Sequence, residues 1–173
     1  TVAAGIPVVI AAGNDGGFVN NPANCAADAA VIAAGGGVIP VGMTDSNNSI
    51  NTLSSKGPEL ASYGVVAPGV AVVTTDLNNG TASASGTSFA SPHVAGLSAL
   101  ILAAKPTLTA AQVQSITRGG ADNIGVASLG VAGLGVDSGG QPLGNSSGAG
   151  RINIWRTMRL AVGAAPPPDE AYA

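Results

Sequence analysis

The order of apolar and polar residues in the first half of the chain predicts short strands separated by turns. Residues 2–5 have the pattern of a helix end closed by glycine, and the apolar run from Ile6 to Ala12 predicts a buried strand. Pro40 interrupts a second run, at residues 38–43, and predicts a strand end or edge because proline has no backbone N–H to donate. Further short strands are expected at residues 65–67 and 70–75.

Three helices are predicted in the second half of the chain. Residues 88–104 carry apolar or small side chains on nearly every face, which predicts a central helix buried on most sides. Thr109 and Gln112 have the spacing of a capping box, so a second helix is expected to begin there and to end near Thr117. A third helix, over residues 154–162, is expected to place Arg156 and Arg159 away from an apolar stripe of Trp155, Met158 and Val162.

The composition favours an α/β fold with a single core. Apolar residues make up 46% of the 173 residues but aromatic residues only 3%, so the core must be built from Ala, Val, Ile, Leu and closely packed glycines. Such side chains suit buried parallel strands and close helix contacts. A chain of this length can bury roughly two thirds of its unfolded surface, which is enough for one sizeable core. We therefore expect one domain at residues 1–163, with longer loops at residues 18–36 and 119–150 and a proline-rich tail at residues 164–173.

Charge and cysteine content exclude several classes of protein. Six basic and nine acidic residues give a net charge of −3, which argues against a disordered polyelectrolyte and against a nucleic-acid partner. No apolar run approaches the roughly 18 residues of a membrane span, so no membrane association is expected. Cys25 is the only cysteine, so the chain can form neither an internal disulfide nor a cysteine-based metal site. Scarce lysine, a pI of about 4.7 and loops rich in Gly, Ser, Asn and Thr are typical of exported hydrolases and predict a secreted protein.

The segment from Gly86 to Gly96 holds the strongest candidate for chemistry. Ser88 falls in the first turn of the predicted buried helix, where backbone N–H groups have no intrahelical partner and the helix dipole favours negative charge. A serine there can attack a carbonyl carbon while its own N–H donates to the oxygen that becomes negative. Serine also caps helices very often, and on spacing alone capping is the stronger interpretation.

This segment, Gly-Thr-Ser-Phe-Ala-Ser-Pro-His-Val-Ala-Gly, resembles the nucleophile signature of the subtilisin-like serine proteases, with Phe89 where methionine is commonest. Five further segments resemble motifs of the same family in the same order, at residues 11–14, 22–23, 54–60, 66–70 and 148–153. The resemblance runs from Thr1 to about Ala161, and six collinear motifs outweigh the capping interpretation of Ser88. It implies an α/β, subtilisin-like fold with a mostly parallel sheet flanked by helices, incomplete in this chain.

The resemblance implies roles for eight residues. Ser88 would be the nucleophile that forms an acyl-enzyme with a polypeptide substrate, and the side-chain amide of Asn14 would be the second oxyanion donor beside the Ser88 N–H. The other six would line the substrate site. One wall of the pocket would be formed by Ala11, Ala12 and Gly13, and the proline turn of the pocket by Pro22. The loop at the nucleophile would contain Gly86 and Thr87.

The resemblance implies a reaction that requires no cofactor. Calcium could serve as a structural ion, because the side chains of Asp15, Asn20, Asn21 and Asp28 offer oxygen ligands. Residues of these types are also common turn formers, so no metal site is assigned.

A nucleophilic serine needs a general base, and here the chain departs from a complete protease. His93 is the only histidine, and five residues along a helix place it about 140° around the axis from Ser88. It is therefore interpreted as a structural helix residue and not as the base. None of the aspartates lies in a segment that resembles the family's motif for the orienting acid. Because the family orders its triad as Asp, His and Ser, an upstream N-terminal portion is expected to carry the Asp and the His.

Three explanations of the incomplete triad stay open. The chain can be the C-terminal part of a nicked protease that remains bound to its N-terminal part, one product of a split gene, or a fragment that never catalyses alone. The alternative function is that of an inactive family member acting as a binding module, and a fragment of an unrelated α/β protein is a weaker alternative. The isolated chain is expected to be insoluble or inactive, because the strand at Ile6–Ala12 would leave an unpaired apolar edge.

Overall fold

A three-stranded parallel sheet forms the centre of the fold. The computed structural model describes residues 1–19, 22–124 and 147–165. The sheet has the order β1-β2-β3, where the strands are β1 (Val8–Ala11), β2 (Val38–Thr44) and β3 (Val65–Pro68). Val8 lies opposite Val38, and Val41 lies opposite Val65. The predicted strands at these three apolar runs are therefore confirmed.

Pro40 lies inside the central strand of this sheet, so the prediction of a strand end or edge at this residue is wrong. All seven residues of β2 are buried. The Val8 N–H donates to the Gly37 carbonyl, and the Ala12 N–H donates to the Val41 carbonyl. The odd-numbered residues from 37 to 41 therefore direct their backbone N–H and C=O groups towards β1. The side of Pro40 that lacks an N–H faces β3, and pairing with β3 begins only at Val41. The sheet tolerates this proline because it stands one residue before the second ladder begins.

Helices and a separate hairpin surround the sheet. The helices are α1 (Ala29–Ala33), α2 (Pro58–Tyr63), α3 (Thr87–Ala104), α4 (Ala110–Gly119) and α5 (Ile154–Ala161). The hairpin pairs β4 (Val72–Thr75) antiparallel with β5 (Thr81–Ala84). Short 3-10 turns span Val2–Ala4, Ala23–Ala27 and Leu77–Asn79.

Several of these elements differ from the expected loops. Residues 18–36 contain α1 and a 3-10 turn, so the expectation of a loop there is wrong. The pattern also does not predict α2 or β5, because elements of six and four residues are too short to show a period. Most of the other expected loop, at residues 125–146, lies outside the described residues, as do residues 166–173 of the expected tail.

Helix α3 packs on the sheet with one face. Its buried side chains at Ala90, Val94, Leu97 and Ile101 share one core with sheet residues that include Ile39, Val41, Met43, Val65 and Ala67. Its other side is exposed, and Leu100 keeps 47% of its surface accessible. The prediction that this helix is buried on most sides is therefore wrong for this chain, in which only one face of α3 is buried.

By length and composition α3 is also long and apolar enough to cross a membrane, and it alone meets this criterion within the described residues. This criterion is mean hydropathy over the helix, and Pro92, His93 and Gly96 interrupt its apolar residues, so it does not contradict the expectation that no uninterrupted apolar run approaches 18 residues. The finding is weak evidence for a membrane, because core helices of soluble proteins pass the same test. The packing of α3 against the sheet is the packing of such a core helix.

Helix α4 begins at the predicted capping box. The Gln112 N–H donates to Thr109 Oγ1 at 3.2 Å, and the Thr109 N–H donates to Gln112 Oε1 at 2.8 Å. Further along the helix, Gln114 Nε2 donates to the carbonyl groups of Val38 and Tyr63. The capping box is thus confirmed, and the helix is joined to the start of β2 and to the end of α2.

A buried ionic cluster holds the last segment of the fold against the sheet. Asp122 is 1% exposed and accepts hydrogen bonds from Arg151 Nη2 at 3.2 Å and from Asn153 Nδ2 at 3.0 Å. Arg156 Nε lies 3.5 Å from the same carboxylate. Arg151 also forms a parallel bridge with Val66 of β3. The cluster therefore connects α5, the chain before it and the sheet.

This cluster corrects the predicted orientation of α5. Arg156 is only 9% exposed, whereas Trp155 is 59% exposed and Val162 is 56% exposed. Of the predicted apolar stripe only Met158 packs against the core, and the Trp155 ring instead lies 5.3 Å from the guanidinium carbon of Arg159. Asp122 decides the orientation, because a buried carboxylate without cationic partners would cost several kcal/mol.

We expect Asp122→Ala to lower the free energy of unfolding by about 3–5 kcal/mol, because it removes the carboxylate that Arg151 and Arg156 share. Urea denaturation followed by circular dichroism measures the change. Asp76→Ala is the matched control, since Asp76 only accepts from the exposed Leu77 N–H, and it should cost about 1 kcal/mol. Equal losses in the two variants would contradict the structural role of the cluster.

Candidate active site

Ser88 lies at the exposed start of α3. The N-cap of this helix is Gly86, without a side-chain hydrogen bond, so Ser88 is the second residue of the helix and does not cap it. The Ser88 side chain is exposed, and its hydroxyl has no hydrogen-bond partner within the described ranges. The capping interpretation is therefore wrong, and the hydroxyl is available for chemistry.

The backbone N–H of Ser88 likewise has no partner in the part of the chain that the structure describes. The groups on either side of it are occupied. The Thr87 N–H donates to Asn14 Oδ1 at 2.7 Å, and the Phe89 N–H donates to the Gly86 carbonyl at 3.0 Å. The first turn of a helix also carries the positive end of the helix dipole. A free donor in a positive potential therefore lies beside the Ser88 hydroxyl.

Asn14 follows the carboxyl end of β1 and is held against the same helix turn. Its Oδ1 accepts from the Thr87 N–H and, at 3.0 Å, from Thr87 Oγ1. Because a backbone N–H can only donate, the amide atom facing it must be the oxygen, and Nδ2 lies on the other side. A Cβ placed on Gly86 would come within 3.5 Å of Oδ1 and 3.6 Å of Nδ2. Nδ2 is therefore a second donor close to the start of α3.

Thr87 joins the strand to the helix and is fully buried. Its hydroxyl donates to Asn14 Oδ1 and accepts from the Gly13 N–H at 3.3 Å. The family resemblance implies Thr87 only as part of the loop at the nucleophile, and its hydrogen bonds to Asn14 are not predicted. A single sequence gives no signal for this contact, because the two residues are 73 positions apart.

The structure brings the predicted pocket wall to the predicted proline turn. Ala12 is fully buried in a small cluster with Val19, Ala23 and Leu60. Pro22 directly precedes Ala23 and is the N-cap of the 3-10 turn there, with its own side chain exposed. The wall at residues 11–13 leads without interruption into Asn14. All eight residues predicted for the site are therefore at or near the end of β1 and the start of α3.

Hydrogen bonds to a neighbouring segment fix the turn that contains Asn14. Asp15 Oδ1 accepts from Ser55 Oγ at 2.7 Å and from the Gly17 N–H at 3.0 Å. These two hydrogen bonds hold the pKa of the Asp15 carboxyl below its usual value, and the bond from Ser55 has the larger effect. The Ser55 N–H donates in turn to the Gly13 carbonyl at 3.0 Å. The residues on both sides of Asn14 are thus anchored to Ser55.

His93 is engaged within its own helix. Its Nδ1–H donates to the Phe89 carbonyl at 2.8 Å, and the side chain is exposed. Because a carbonyl oxygen only accepts, the ring proton lies on Nδ1. This placement agrees with the interpretation of His93 as a structural helix residue.

The residues considered as calcium ligands have other partners where they are described. Asp28 Oδ1 accepts from the Ala30 N–H at 2.7 Å as the N-cap of α1, and Asp15 is bound as stated above. Asn20 and Asn21 lie outside the described residues. Within those residues, no group of three or more His, Cys, Asp or Glu side chains could hold a metal ion. Cys25 is a half-buried free thiol.

The chain belongs to the subtilase family of serine proteases, because the model of that family matches residues 1–150. It is 46% identical to subtilisin DY of Bacillus licheniformis over 125 residues, which are 71% of this chain and 42% of that protein. It is 40% identical to alkaline elastase YaB of Bacillus sp. strain YaB over 124 residues, which are 71% of this chain and 29% of that protein. The chain thus spans less than half the length of these relatives.

Solved structures show the same fold. The self-cleaved protease domain of PatA aligns with a TM-score of 0.69 at 26% identity, covering 94% of this chain and 52% of that one. A protease of Pseudoalteromonas arctica also aligns with a TM-score of 0.69 at 26% identity, covering 92% of this chain and 44% of that one. The predicted subtilisin-like α/β fold, incomplete in this chain, is confirmed.

We expect Ser55→Ala to raise the pKa of Asp15 towards its usual value, because it removes the hydrogen bond that lowers this pKa most. A carboxyl with a lower pKa in the folded state stabilises the fold above the unfolded pKa of about 3.9, and this contribution is lost as the pH falls through the folded pKa. An NMR titration of the Asp15 carboxyl carbon measures the shift. Ser49→Ala, an exposed serine that does not bind Asp15, should leave the titration unchanged. An unchanged midpoint in Ser55→Ala would contradict the assignment.

Proposed function

We propose that this chain provides the nucleophile and the oxyanion hole of a serine endopeptidase that cleaves polypeptides through an acyl-enzyme. Membership of the subtilase family supports the reaction class. The single observation that supports the roles most directly is the commitment of Asn14 Oδ1 to Thr87. It turns Asn14 Nδ2 away from Thr87, so that Nδ2 and the Ser88 N–H are two donors at the same helix turn without a partner in the described part of the chain.

In the proposed reaction, Ser88 Oγ attacks the carbonyl carbon of the scissile peptide bond, and its proton passes to a general base. The carbonyl oxygen gains the negative charge and accepts hydrogen bonds from the Ser88 N–H and Asn14 Nδ2. The base then protonates the leaving amine, so that the C–N bond breaks and the acyl group stays on Ser88. Water activated by the same base hydrolyses this ester and restores the hydroxyl. These steps require no cofactor, and a calcium ion would have a structural role.

The base and the carboxylate that orients it come, in this proposal, from an upstream portion outside residues 1–173. His93 is the only histidine of the sequence, and its Nδ1–H is donated to Phe89. Among the aspartates, Asp122 is buried in the ionic cluster next to α5. The matched segment is only 42% of the length of subtilisin DY, which leaves room for such a portion.

The exposed face of α3 offers a surface on which an upstream portion can pack. The exposed residues that follow Ser88 at helical spacing are Pro92, Ala95, Ala99 and Ala103. Beside them, no atom apart from Gly96, its chain neighbours and the backbone of α3 itself lies within 4 Å of the point where a Cβ of Gly96 would stand. Small side chains allow another element to approach the helix closely. A segment packed along this face would end next to Ser88, where the base must lie.

The outer edge of β1 offers a second attachment. β1 pairs with β2 on one side, and the other side has no strand partner among residues 1–19, 22–124 and 147–165. The residues of β1 are half-buried. An unpaired apolar edge is a template for another strand. We place a strand of the upstream portion beside Val8–Ala11.

The substrate in this proposal is a polypeptide bound in extended form along the wall at residues 11–13 and the turn at Pro22. The peptidase domain includes residues 1–163, which adds α5 to the segment matched by the family, and residues 164–173 form a tail. The protein acts outside the cell, as its low lysine content and the composition of its loops indicate.

Reconstitution tests this function. Residues 1–173 alone are expected not to react with a fluorophosphonate, because phosphonylation of Ser88 needs the missing base. The same chain refolded with the upstream portion of its own protease is expected to be labelled at Ser88, as located by peptide mass spectrometry. No labelling of the assembled wild type would instead indicate an inactive family member that acts as a binding module.

The reconstitution also has a matched control for the proposed surface. Ala99→Arg is expected to prevent labelling, because it places a charge in the contact with the upstream portion. Thr75→Arg, on the exposed face of β4, should be labelled like the wild type. Equal labelling of both variants would show that the upstream portion does not pack on this face of α3.

Asn14→Ala is expected to lower kcat of the assembled protease by about a hundred- to a thousandfold with little change in KM, the size of loss known for removing such a donor from a subtilisin. The reason is that the amide binds the oxygen only when it carries negative charge. Steady-state kinetics on a peptide substrate measure both constants. Asn47→Ala, at an exposed asparagine of another turn, should keep the wild-type kcat. If Asn14→Ala keeps it too, Asn14 is not an oxyanion donor.

A further inference from the structure

One side-chain hydrogen bond closes the hairpin directly in front of the nucleophile. The Ala71 N–H donates to Ser85 Oγ at 2.9 Å. Ser85 precedes Gly86, the N-cap of α3, and Ala71 precedes β4. Val72 lies opposite Ala84 in the hairpin, so this hydrogen bond joins the two residues that lie directly outside the paired strands β4 and β5.

Ala71 has an unusual backbone conformation. Its φ of +53° lies in the left-handed region. This region costs a residue with a Cβ about 1–2 kcal/mol, and such a conformation persists only where its surroundings hold it. The Ser85 hydroxyl accepts from the N–H of this same residue. The strain at Ala71 is therefore balanced by a side chain three residues before Ser88.

The same loop is tied through the backbone to the central sheet. The Gly86 N–H donates to the Gly69 carbonyl at 2.8 Å, and the Gly69 N–H donates to the Thr44 carbonyl at 3.0 Å. A Cβ at Gly69 would lie 2.6 Å from Met43 Cβ and 2.9 Å from the Gly86 carbonyl oxygen. Gly69 is thus packed tightly between β2 and the loop. The start of α3 is thus connected to β2 through Gly69, and the strained residue Ala71 follows Gly69 by two positions.

We propose that Ser85 is a positioning residue for the nucleophile. Its hydroxyl holds Ala71 in the left-handed region and thereby fixes Gly86 and the start of α3, from which the hydroxyl and the N–H of Ser88 project. This role rests on the proposed function of Ser88, and it requires no contact between the Ser85 side chain and the substrate. Without the hydroxyl, Ala71 relaxes and the loop before the helix shifts. A misplacement of about 1 Å at a reacting group can cost on the order of a hundredfold in rate.

The test compares three variants of the assembled protease. Ser85→Ala is expected to lower kcat and the rate constant of fluorophosphonate labelling by about five- to fiftyfold without changing KM. Ser85→Thr keeps the hydroxyl and should stay within about twofold of the wild type. Ala71→Gly added to Ser85→Ala should restore most of the rate, because glycine adopts the left-handed region without strain. Ser83→Ala, at an exposed residue of β5, is the control and should have the wild-type rate.

Two results of these kinetic measurements would overturn the proposal. If Ser85→Ala lowers the thermal unfolding midpoint but keeps the wild-type kcat well below that temperature, the hydrogen bond is merely structural. If Ala71→Gly fails to restore the rate, the strain at Ala71 is not what Ser85 controls.

Amide hydrogen exchange gives a readout that does not depend on activity. Ser85→Ala should speed exchange at the Ala71 and Gly86 amides by at least about tenfold, whereas Ser83→Ala should not. If the assembled wild type is not labelled, the proposed function of Ser88 fails, and this measurement still decides whether Ser85 fixes the loop. Unchanged exchange in Ser85→Ala would show that it does not.

Discussion

Two hydrogen bonds from Thr87 to Asn14 Oδ1 decide what this molecule can do chemically, because they join the end of β1 to the start of α3. In an α/β sheet, the carboxyl ends of parallel strands and the amino ends of the following helices meet at one side. Thr87 supplies neither a nucleophile nor a proton to a substrate. By occupying Oδ1, it turns Asn14 Nδ2 away from Thr87, and neither Nδ2 nor the Ser88 N–H has a hydrogen-bond partner among the residues that the structure describes. Donors that are already oriented need no rearrangement when negative charge develops, which is how such sites lower a reaction barrier.

The sequence predicts those elements that depend on residues close together along the chain, and it fails where residues far apart along the chain interact. β1, α3 and the capping box of α4 are predicted because they depend on neighbouring residues alone. The prediction of a strand end at Pro40 fails because the sheet can hold a proline there only if β3 begins to pair after it. The predicted orientation of α5 fails because Arg156 turns inward to Asp122, which is far away along the chain. Ser88 is likewise misjudged by local chemistry, since helix capping is commoner than catalysis. The resemblance to a family singles out Ser88 and Asn14, and the coordinates alone place them at one helix turn.

Within the described residues, one face of α3 and the outer edge of β1 are not covered by another element. α3 meets the sheet through Val94, Leu97 and Ile101, yet its sequence is apolar around most of its circumference. A helix of that composition is typically covered on several sides. In the proposed assembly, the upstream portion would cover both the exposed face of α3 and the outer edge of β1.

The tip of the hairpin combines strong exposure with a purely local set of contacts. Leu77 is 83% exposed, and Asn78 and Asn79 have left-handed backbones. Asp76 closes the turn, because its Oδ1 accepts from the Leu77 N–H and its own N–H donates to the Gly80 carbonyl. Foreign sequence grafted at this tip would therefore leave the sheet untouched. Because the two stems of the hairpin end at Ala71 and Ser85, a fluorescent group carried by such a graft would report movements of the loop that precedes Ser88.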